Sequence, residues 1–498
     1  MTDTTILIRA DASETTGTGH VLRCLSLADA LQRKGCDILF VMCESVPAIE
    51  KRIREAGCAI QRITEEIGSA EDAKHAGEIA AESGAQWVVV DGYSFGSAYI
   101  GALKKQKFSV LMIDDYGQCD QYDADIVLNQ NVSAQETTYA KRADGVKLLL
   151  GPSYALLGPK FTKHKRKQRT ILKAASNVLV TLGGADPQNI TLKVLRALER
   201  VTETDFAVTV IVGGANAHRR EIETAAAAMR HTVTVETDVS DMPKRMEDAD
   251  LAIAAGGTTT YELLSLGVPF ITGAFADNQR TVADALGKQD LAENIGWYPT
   301  VDEKTLSDAI RSLANDHTLR TARSKRAMQI VDGNGADRVA AVMLSSLTIR
   351  NAVKTDAKML FAWANDPGTR TSSFSPEAIA WEDHVRWFEA KLADDACRIY
   401  IGEHEGTPVG QIRFDRDGDL ASIDIHTAPD LRGKGYGTSL IMEGVRIYFA
   451  QQDVERIEAT VKTDNDASRK VFEKAGFIKS GTDTENGHAV YRFILHRP

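Results

Sequence analysis

A histidine placed directly after a glycine turn at the end of a strand is the first group in this chain suited to acid–base chemistry. In RADASETTGTGH (residues 9–20), Gly17 and Gly19 permit a tight turn close to a ligand, and His20 opens the helix that follows. The positive end of a helix disfavours imidazolium and keeps a neutral base available. Arg9 and Asp11 stand at the strand end beside it. A histidine that only caps its helix is the plain alternative. Asp91, Tyr93 and Tyr99 follow the strand WVVV, and Asp114 and Asp115 follow VLMI. Any of these is placed to orient the histidine or hold a sugar hydroxyl. Turn capping is the other reading of the two aspartates.

A second constellation suits a diphosphate. TLGGADPQN sets Gly183 and Gly184 after a strand, with Asp186 and Asn189 close behind. AIAAGGTTTYELL has the same design: Gly256 and Gly257 end a strand, and Thr258, Thr259 and Thr260 start a helix. Amides and hydroxyls at a helix N-terminus fit phosphate oxygens. Glu262, one turn on, is placed to accept hydrogen bonds from a ribose diol, and FADNQR adds Asn278 and Gln279 after the next strand. A third constellation is RGKGYGT, Arg432, Gly433, Lys434, Gly435, Tyr436, Gly437 and Thr438, whose successive amides would cradle a pyrophosphate. Asn465 and Ser468 follow in TDNDASRKVFEKAGF.

The elements that must hold these groups alternate strand and helix. ILIRA, DILFVMC, WVVV and VLMI read as strands of a doubly wound parallel sheet. The basic run KHKRKQRT from Lys163 reads as a solvated linker. After it the pattern restarts with NVLVT, FAVTVIV, DLAIAA and PFITGAF. From Leu347 onward an antiparallel meander, RIYIGEHEGTPVGQIRFDRDGDLASIDIHTAP, precedes the RGKGYG turn. The expected fold is therefore α/β: two facing Rossmann-type lobes, residues 1–162 and 163–345, and an α+β domain over 347–498. The net charge of −10 argues against a nucleic-acid surface. Six cysteines without CxxC spacing read as free thiols. With no signal-peptide pattern and no apolar run of membrane-spanning length, a cytoplasmic protein with no membrane partner is expected.

Two resemblances attach to these motifs. The AGGTTxYExLxLGxPxI stretch resembles the donor-nucleotide site of GT-B glycosyltransferases. The combination RADAS, GxGHxxRCLxLAxxL, GPSYALL, LGGxDPxN, AGGTTxYE and DNQ, over residues 1–345, resembles the PseG-type UDP-sugar hydrolases of pseudaminic acid biosynthesis. That resemblance implies hydrolysis of UDP-2,4-diacetamido-2,4,6-trideoxy-β-L-altropyranose. It maps the family's loop histidine to His20, its tyrosine to Tyr93 and its cleft asparagine to Asn278. Where that family often has arginine after YALL, this chain has Gly158.

The RGKGYG turn and the later NDASRKVFEKAGF resemble the GNAT acetyltransferases, and AWANDPGTR with HVRWFEAKL resemble their PseH-type branch. This implies acetyl-CoA as co-substrate and the 4-amino group of a UDP-amino-sugar as acceptor. Phe472 stands where many relatives carry a tyrosine acid, and Thr460 where many carry a glutamate base. Glu458 is the nearest substitute, with Asp424 or His426 on the neighbouring strand. The implied whole is a bifunctional enzyme: His20 deprotonates a water, UDP leaves with inversion, and no metal is expected. The partners expected are the UDP-linked amino-sugar, acetyl-CoA and other sugar-pathway enzymes. Two alternatives stay open: a glycosyltransferase using the same cleft, and a sugar-nucleotide sensor carrying a degenerate GNAT module.

Overall fold

The structure, a computed structural model, describes the 498-residue chain except residues 1–3, 14–16, 165–167, 185, 215, 238, 240, 346 and 498. It divides into two compact units, Met1–Ala340 and Ala341–Pro498.

The first lobe of the N-terminal unit is built on seven strands: β1 (Thr4–Ala10), β2 (Cys36–Met42), β3 (Ala59–Arg62), β4 (Ala85–Asp91), β5 (Ser109–Ile113), β6 (Ile126–Asn129) and β7 (Lys147–Leu150). Their order is β3-β2-β1-β4-β5-β6-β7, and every pairing is parallel. The second lobe has six: β8 (Asn177–Thr181), β9 (Ala207–Val212), β10 (Thr232–Thr237), β11 (Leu251–Ala255), β12 (Phe270–Ala274) and β13 (Glu293–Trp297). Their order is β10-β9-β8-β11-β12-β13, again parallel. Helices on both faces of a parallel sheet demand apolar residues on both, so central strands such as β11 are buried end to end. In each sheet the strand order reverses beside its first strand, between β1 and β4 and between β8 and β11. A crevice opens there at the carboxyl ends of the strands.

Each lobe has a core of its own, and a further apolar cluster joins the two. Val132, Ala155, Leu157 and Phe161 of the first pack with Leu263, Leu264, Leu286 and Val331 of the second. The helix Gly335–Met343 closes back on the first lobe: Arg338 is buried and donates to the Ser153 carbonyl at 2.7 Å. A Cβ on Gly335 would lie 2.3 Å from the Ala155 oxygen, so this contact accepts only glycine. The basic run that reads as a solvated linker begins inside the helix Pro159–His164, and its described part is engaged, His164 with Glu247 and Arg169 with the Glu247 and Leu266 carbonyls; its residues 165–167 lie outside the described part.

The C-terminal unit is a seven-stranded mixed sheet of β14 (Leu347–Asn351), β15 (Cys397–His404), β16 (Thr407–Asp417), β17 (Leu420–Thr427), β18 (Arg456–Lys462), β19 (Ile478–Glu485) and β20 (His488–His496). The order is β14-β15-β16-β17-β18-β20-β19. Only β17 and β18 run parallel, and they pair over three residues, Leu420–Ser422 against Arg456–Glu458, before they splay apart. Among the described residues no helix is long and apolar enough to cross a membrane, and all six cysteines are free.

The division into units carries an expectation. Residues 1–345 made alone should stay soluble and unfold in one transition followed by circular dichroism and calorimetry. A fragment without tertiary structure would show that the two units need a common core.

Candidate functional site

His20 is the second residue of the helix Gly19–Gln32, which leaves the carboxyl end of β1 at the crevice. The Tyr93 ring, just past β4, stands edge-on to the imidazole, with centroids 4.7 Å apart. The Tyr93 hydroxyl donates to Asp115 Oδ2 at 3.3 Å and accepts from Asn278 Nδ2 at 3.0 Å. Asn278 belongs to the second lobe, so this bond crosses the cleft. Burial first, and then Asp115, push the phenol up to about 12, so it remains a hydroxyl donor at neutral pH.

Behind Tyr93 lies a buried ion-pair chain. Arg23 grips Asp91 through Nε at 2.7 Å and NH2 at 2.6 Å, and Asp115 through NH1 at 2.7 Å. Burial alone would raise the Asp115 carboxyl. The charge and hydrogen bonds of Arg23, with His20 nearby, outweigh it and hold the group below its ordinary value. Asp115 is therefore a fixed anion beside the histidine and tyrosine. Reading the sequence alone passed over Arg23, although an arginine inside the apolar run VLRCLSLA signals a buried charge that must be paired.

Several residues picked out from sequence belong to the frame. Arg9 is wholly buried; its guanidinium pairs with Asp72 at 2.9 Å and Asp11 at 2.5 Å, and Tyr99 donates to Asp72 at 3.0 Å. Asp11 also accepts from the amides of Cys43 and Glu44. These groups lock β1 to β2 and the helix Ala70–Glu82, and none of the Arg9 nitrogens is left for a substrate. The expectation that Arg9 and Asp11 bind a ligand is thereby corrected. Asp114 accepts from Tyr116, Gly117, Gln118 and the Tyr122 hydroxyl, which makes it a turn cap, unlike its neighbour Asp115. Asp186 caps the helix Ile190–Glu199 through the Ile190 and Thr191 amides, both at 2.8 Å.

On the second lobe, β11 runs into Gly256, Gly257 and the short helix Thr259–Ser265. The Gly256 amide is held by the Gly273 oxygen at 2.9 Å, and a Cβ there would lie 2.8 Å from the Gln279 oxygen. Gly256 thus permits close packing and does not offer its amide; the Gly257 amide bonds Ala255. Among the described residues, the amides of Thr258 and Thr259 have no partner, and Thr258 is exposed with its hydroxyl unused as a cap. Burial pushes the Glu262 carboxyl up to about 7, and among the described residues no cation answers it. Gln279 Oε1 accepts from the Phe275 amide at 3.1 Å, which fixes the segment carrying Asn278. Gly183 and Gly184 lie at the end of β8, on the other side of the strand-order reversal.

In the C-terminal unit, Gly435 caps the helix Tyr436–Gln451 at φ +91°. The amides of Gly433, Gly435, Tyr436, Gly437 and Thr438 have no partner among the described residues. Lys434 donates its amide to the Leu431 oxygen. The Arg432 side chain turns away from this loop: it pairs with Asp366 at 2.5 Å and bonds the Thr369 hydroxyl at 2.7 Å. Asn465 likewise caps a helix, accepting from the Ser468 amide at 3.0 Å. Both were expected to hold a cofactor, and in each the named group is already engaged. Where β17 and β18 part, Asp424 and His426 line one edge, and Glu458 and Thr460 the other. Glu458 pairs with Arg456 at 3.3 Å, and the Thr460 hydroxyl accepts from Arg492 at 2.5 Å. Phe472 is buried against Phe477 and Phe493, so no hydroxyl replaces the absent tyrosine there. Among the described residues, no three His, Cys, Asp or Glu side chains group as a metal site requires.

Comparison with known proteins resolves the two halves. Residues 177–339 match the glycosyltransferase family 28 C-terminal domain, and residues 346–478 match the acetyltransferase (GNAT) domain. The chain is thus similar to a glycosyltransferase domain over the second lobe and to a GNAT acetyltransferase domain over most of the C-terminal unit. An uncharacterized protein of Methanocaldococcus jannaschii is 24% identical across 97% of this chain and 98% of its own length. The spore coat polysaccharide biosynthesis protein SpsG of Bacillus subtilis is 28% identical across 47% of this chain and 68% of that protein. The UDP-2,4-diacetamido-2,4,6-trideoxy-beta-L-altropyranose hydrolase of Campylobacter jejuni is 21% identical across 38% and 75%. Among solved structures, AAC(6')-Ib with ribostamycin and coenzyme A is 24% identical across 31% of this chain and 94% of that one, with a TM-score of 0.29.

Proposed function

We propose that the N-terminal unit hydrolyses a UDP-linked amino-sugar and that the GNAT unit acetylates an amino group of such a sugar with acetyl-CoA. The sugar is of the 2,4-diamino-2,4,6-trideoxy type, and the 4-amino group is the acceptor. The observation that carries the reading is the meeting of His20, Tyr93 and Asn278 across the cleft from an open pair of threonine amides. The likeness to the Campylobacter hydrolase and the glycosyltransferase-28 match support a nucleotide-sugar ligand.

In this mechanism the Thr258 and Thr259 amides and hydroxyls hold the diphosphate, and Glu262 accepts from the ribose diol. Gly183 and Gly184 border the nucleotide. Asn278, tied to Tyr93, positions the sugar, and Gln279 keeps that segment in place. A water attacks the anomeric carbon from the face opposite the phosphate. His20 takes its proton as the new carbon–oxygen bond forms and the bond to UDP breaks, so the configuration inverts. The unpaired amides stabilise the charge growing on the departing diphosphate. In the GNAT unit the RGKGYG amides receive the CoA pyrophosphate. Glu458 relieves the attacking amine of its proton, directly or through a water, with Asp424 and His426 facing it across the opening. The test is incubation with UDP-amino-sugars alone, with UDP and free sugar followed by NMR. UDP release without an acceptor and with inverted sugar supports hydrolysis; no release from any of them would sink it.

The family 28 match also favours a second reading, in which His20 activates an acceptor hydroxyl in place of water. UDP release that appears only when an alcohol acceptor is added would select it.

Glu262 gives a pH-dependent expectation. A ribose diol donates to the ionised carboxylate, whose pKa burial has raised to about 7. UDP affinity should therefore improve as pH rises through about 7 and level off above it. Glu262→Gln should flatten that profile and raise KM several-fold with little change in kcat, because a ribose contact is alike in ground and transition states. Calorimetric titration across that pH range checks it; an unchanged profile in Glu262→Gln removes the ribose role.

A further inference from the structure

We propose that Tyr261 is a positioning residue that ties the nucleotide-binding turn of the second lobe to the histidine of the first; this rests on the hydrolase reading above. Tyr261 follows directly on the TTT turn, and its side chain crosses into the first lobe. It is 1% exposed. Its hydroxyl donates to Asn131 Oδ1 at 3.0 Å and accepts from the Val132 amide at 3.1 Å. Asn131 then donates to the Asp115 carbonyl at 3.0 Å and to Asp115 Oδ1 at 3.1 Å. Asp115 accepts from Tyr93, whose ring stands against His20. Every link is a hydrogen bond or a ring contact, buried or half-buried except at Tyr93, which is 41% exposed, and the chain runs without a break from the helix Thr259–Ser265 to the imidazole.

Arg23 holds both Asp115 oxygens, Oδ1 at 2.7 Å and Oδ2 at 3.1 Å, and the Asn131 amide adds the donor that ties this pair to the second lobe, bonding Oδ1 and the Asp115 carbonyl while Oδ2 also accepts from Tyr93. Neither Asn131 nor Tyr261 is placed to touch a ligand. Their hydrogen-bonding groups are all engaged, and buried polar networks of this kind hold geometry only while every member is satisfied. Removing the Tyr261 hydroxyl strands Asn131 Oδ1 and the Val132 amide inside the protein. The side chain of Asn131 is then free to rotate, and Asp115 keeps its Arg23 pair but loses the two Asn131 bonds that set its backbone and Oδ1 against the second lobe. The effect should reach the reaction as misplacement of Tyr93 and His20, which costs rate rather than affinity.

The experiment uses the full chain. Tyr261→Phe should lower kcat for UDP release by roughly 10- to 100-fold, with KM and the Kd of UDP within about twofold of the original. Asn131→Ala should do the same, and the double variant should be no worse than either alone, since both break one chain. A second readout is independent of turnover: the edge-on Tyr93 ring shifts the His20 ring protons in NMR, and that resonance, assigned by its loss in His20→Asn, should move in Tyr261→Phe. Unchanged kcat with an unmoved resonance overturns the proposal. So does weakening of UDP binding in parallel with kcat, which marks a merely structural hydroxyl, and so do additive losses in the double variant. If the original chain releases no UDP, the hydrolase reading fails, and the His20 resonance alone decides whether Tyr261 positions the histidine.

Discussion

Replacing His20 by asparagine is expected to slow UDP release from a UDP-amino-sugar by about 10²- to 10⁴-fold while leaving the Kd of UDP within about twofold. The separation follows from the architecture. The histidine is presented by the helix after β1 of the first lobe, whereas the open amides and Glu262 follow β11 of the second. Asparagine keeps a planar polar group against the Tyr93 ring and so leaves the packing nearly intact, but it cannot take the proton from water. A continuous assay for released UDP, beside calorimetric binding of UDP itself, reads the two quantities independently. Turnover near the original rate in His20→Asn would remove the imidazole from the mechanism. Loss of UDP affinity in step with rate would instead make His20 part of the nucleotide pocket.

The second large effect is expected at Gly435. Its φ of +91° is left-handed, a region costly for any residue with a Cβ and most costly for a β-branched one. Gly435→Val should add strain of about 1–3 kcal/mol to the bound loop geometry. That corresponds to a roughly 10- to 100-fold loss in acetyl-CoA affinity. A Cβ at this position meets no atom within 4 Å beyond its chain neighbours, so the cost is one of backbone conformation. Gly437 is less demanding: a Cβ there meets Thr427 Oγ1 and Val471 only at 3.5 Å, ordinary contact, and its φ is not left-handed. The expected order is therefore Gly435→Val far worse than Gly437→Ala. UDP release should be unaffected by either, since the loop lies in a separate compact unit. Acetyl transfer at the original rate in Gly435→Val would place the CoA site elsewhere.

The lobes and the mixed sheet were legible because their strands are apolar runs closed by glycine, the pattern a two-sided parallel sheet imposes. Elements read less well at the edges. β19, IKSGTDTE, has almost no strand character of its own; it is held by β20 across the two-residue turn Asn486-Gly487, with φ of 49° and 78°. That Asn-Gly pair was the available signal. In the site, His20, Tyr93 and Asn278 came from motif order and do converge. Arg9, Asp11 and Asp114 sit at strand ends as catalytic groups do, yet their charges satisfy the protein itself. Strand-end position cannot separate the two cases, because capping amides and substrates ask for the same carboxylate. Asn131 and Tyr261 escaped notice for another reason. They meet across 130 positions of sequence, and neither residue type in its own segment announces a partner.

The closing contact of Gly335 on Ala155 also sets an order of events during synthesis. Sequence position 155 leaves the ribosome about 180 residues before position 335. At 5–20 residues per second that interval is roughly 9–36 s. Through it the first lobe is complete in strands but lacks the helix that buries Arg338 against Ser153, and Val132, Leu157 and Phe161 wait for the second lobe to cover them. The nascent first lobe therefore leaves these apolar side chains uncovered for that interval. Slowing translation within residues 163–335 would lengthen that exposure and lower the yield of soluble chain.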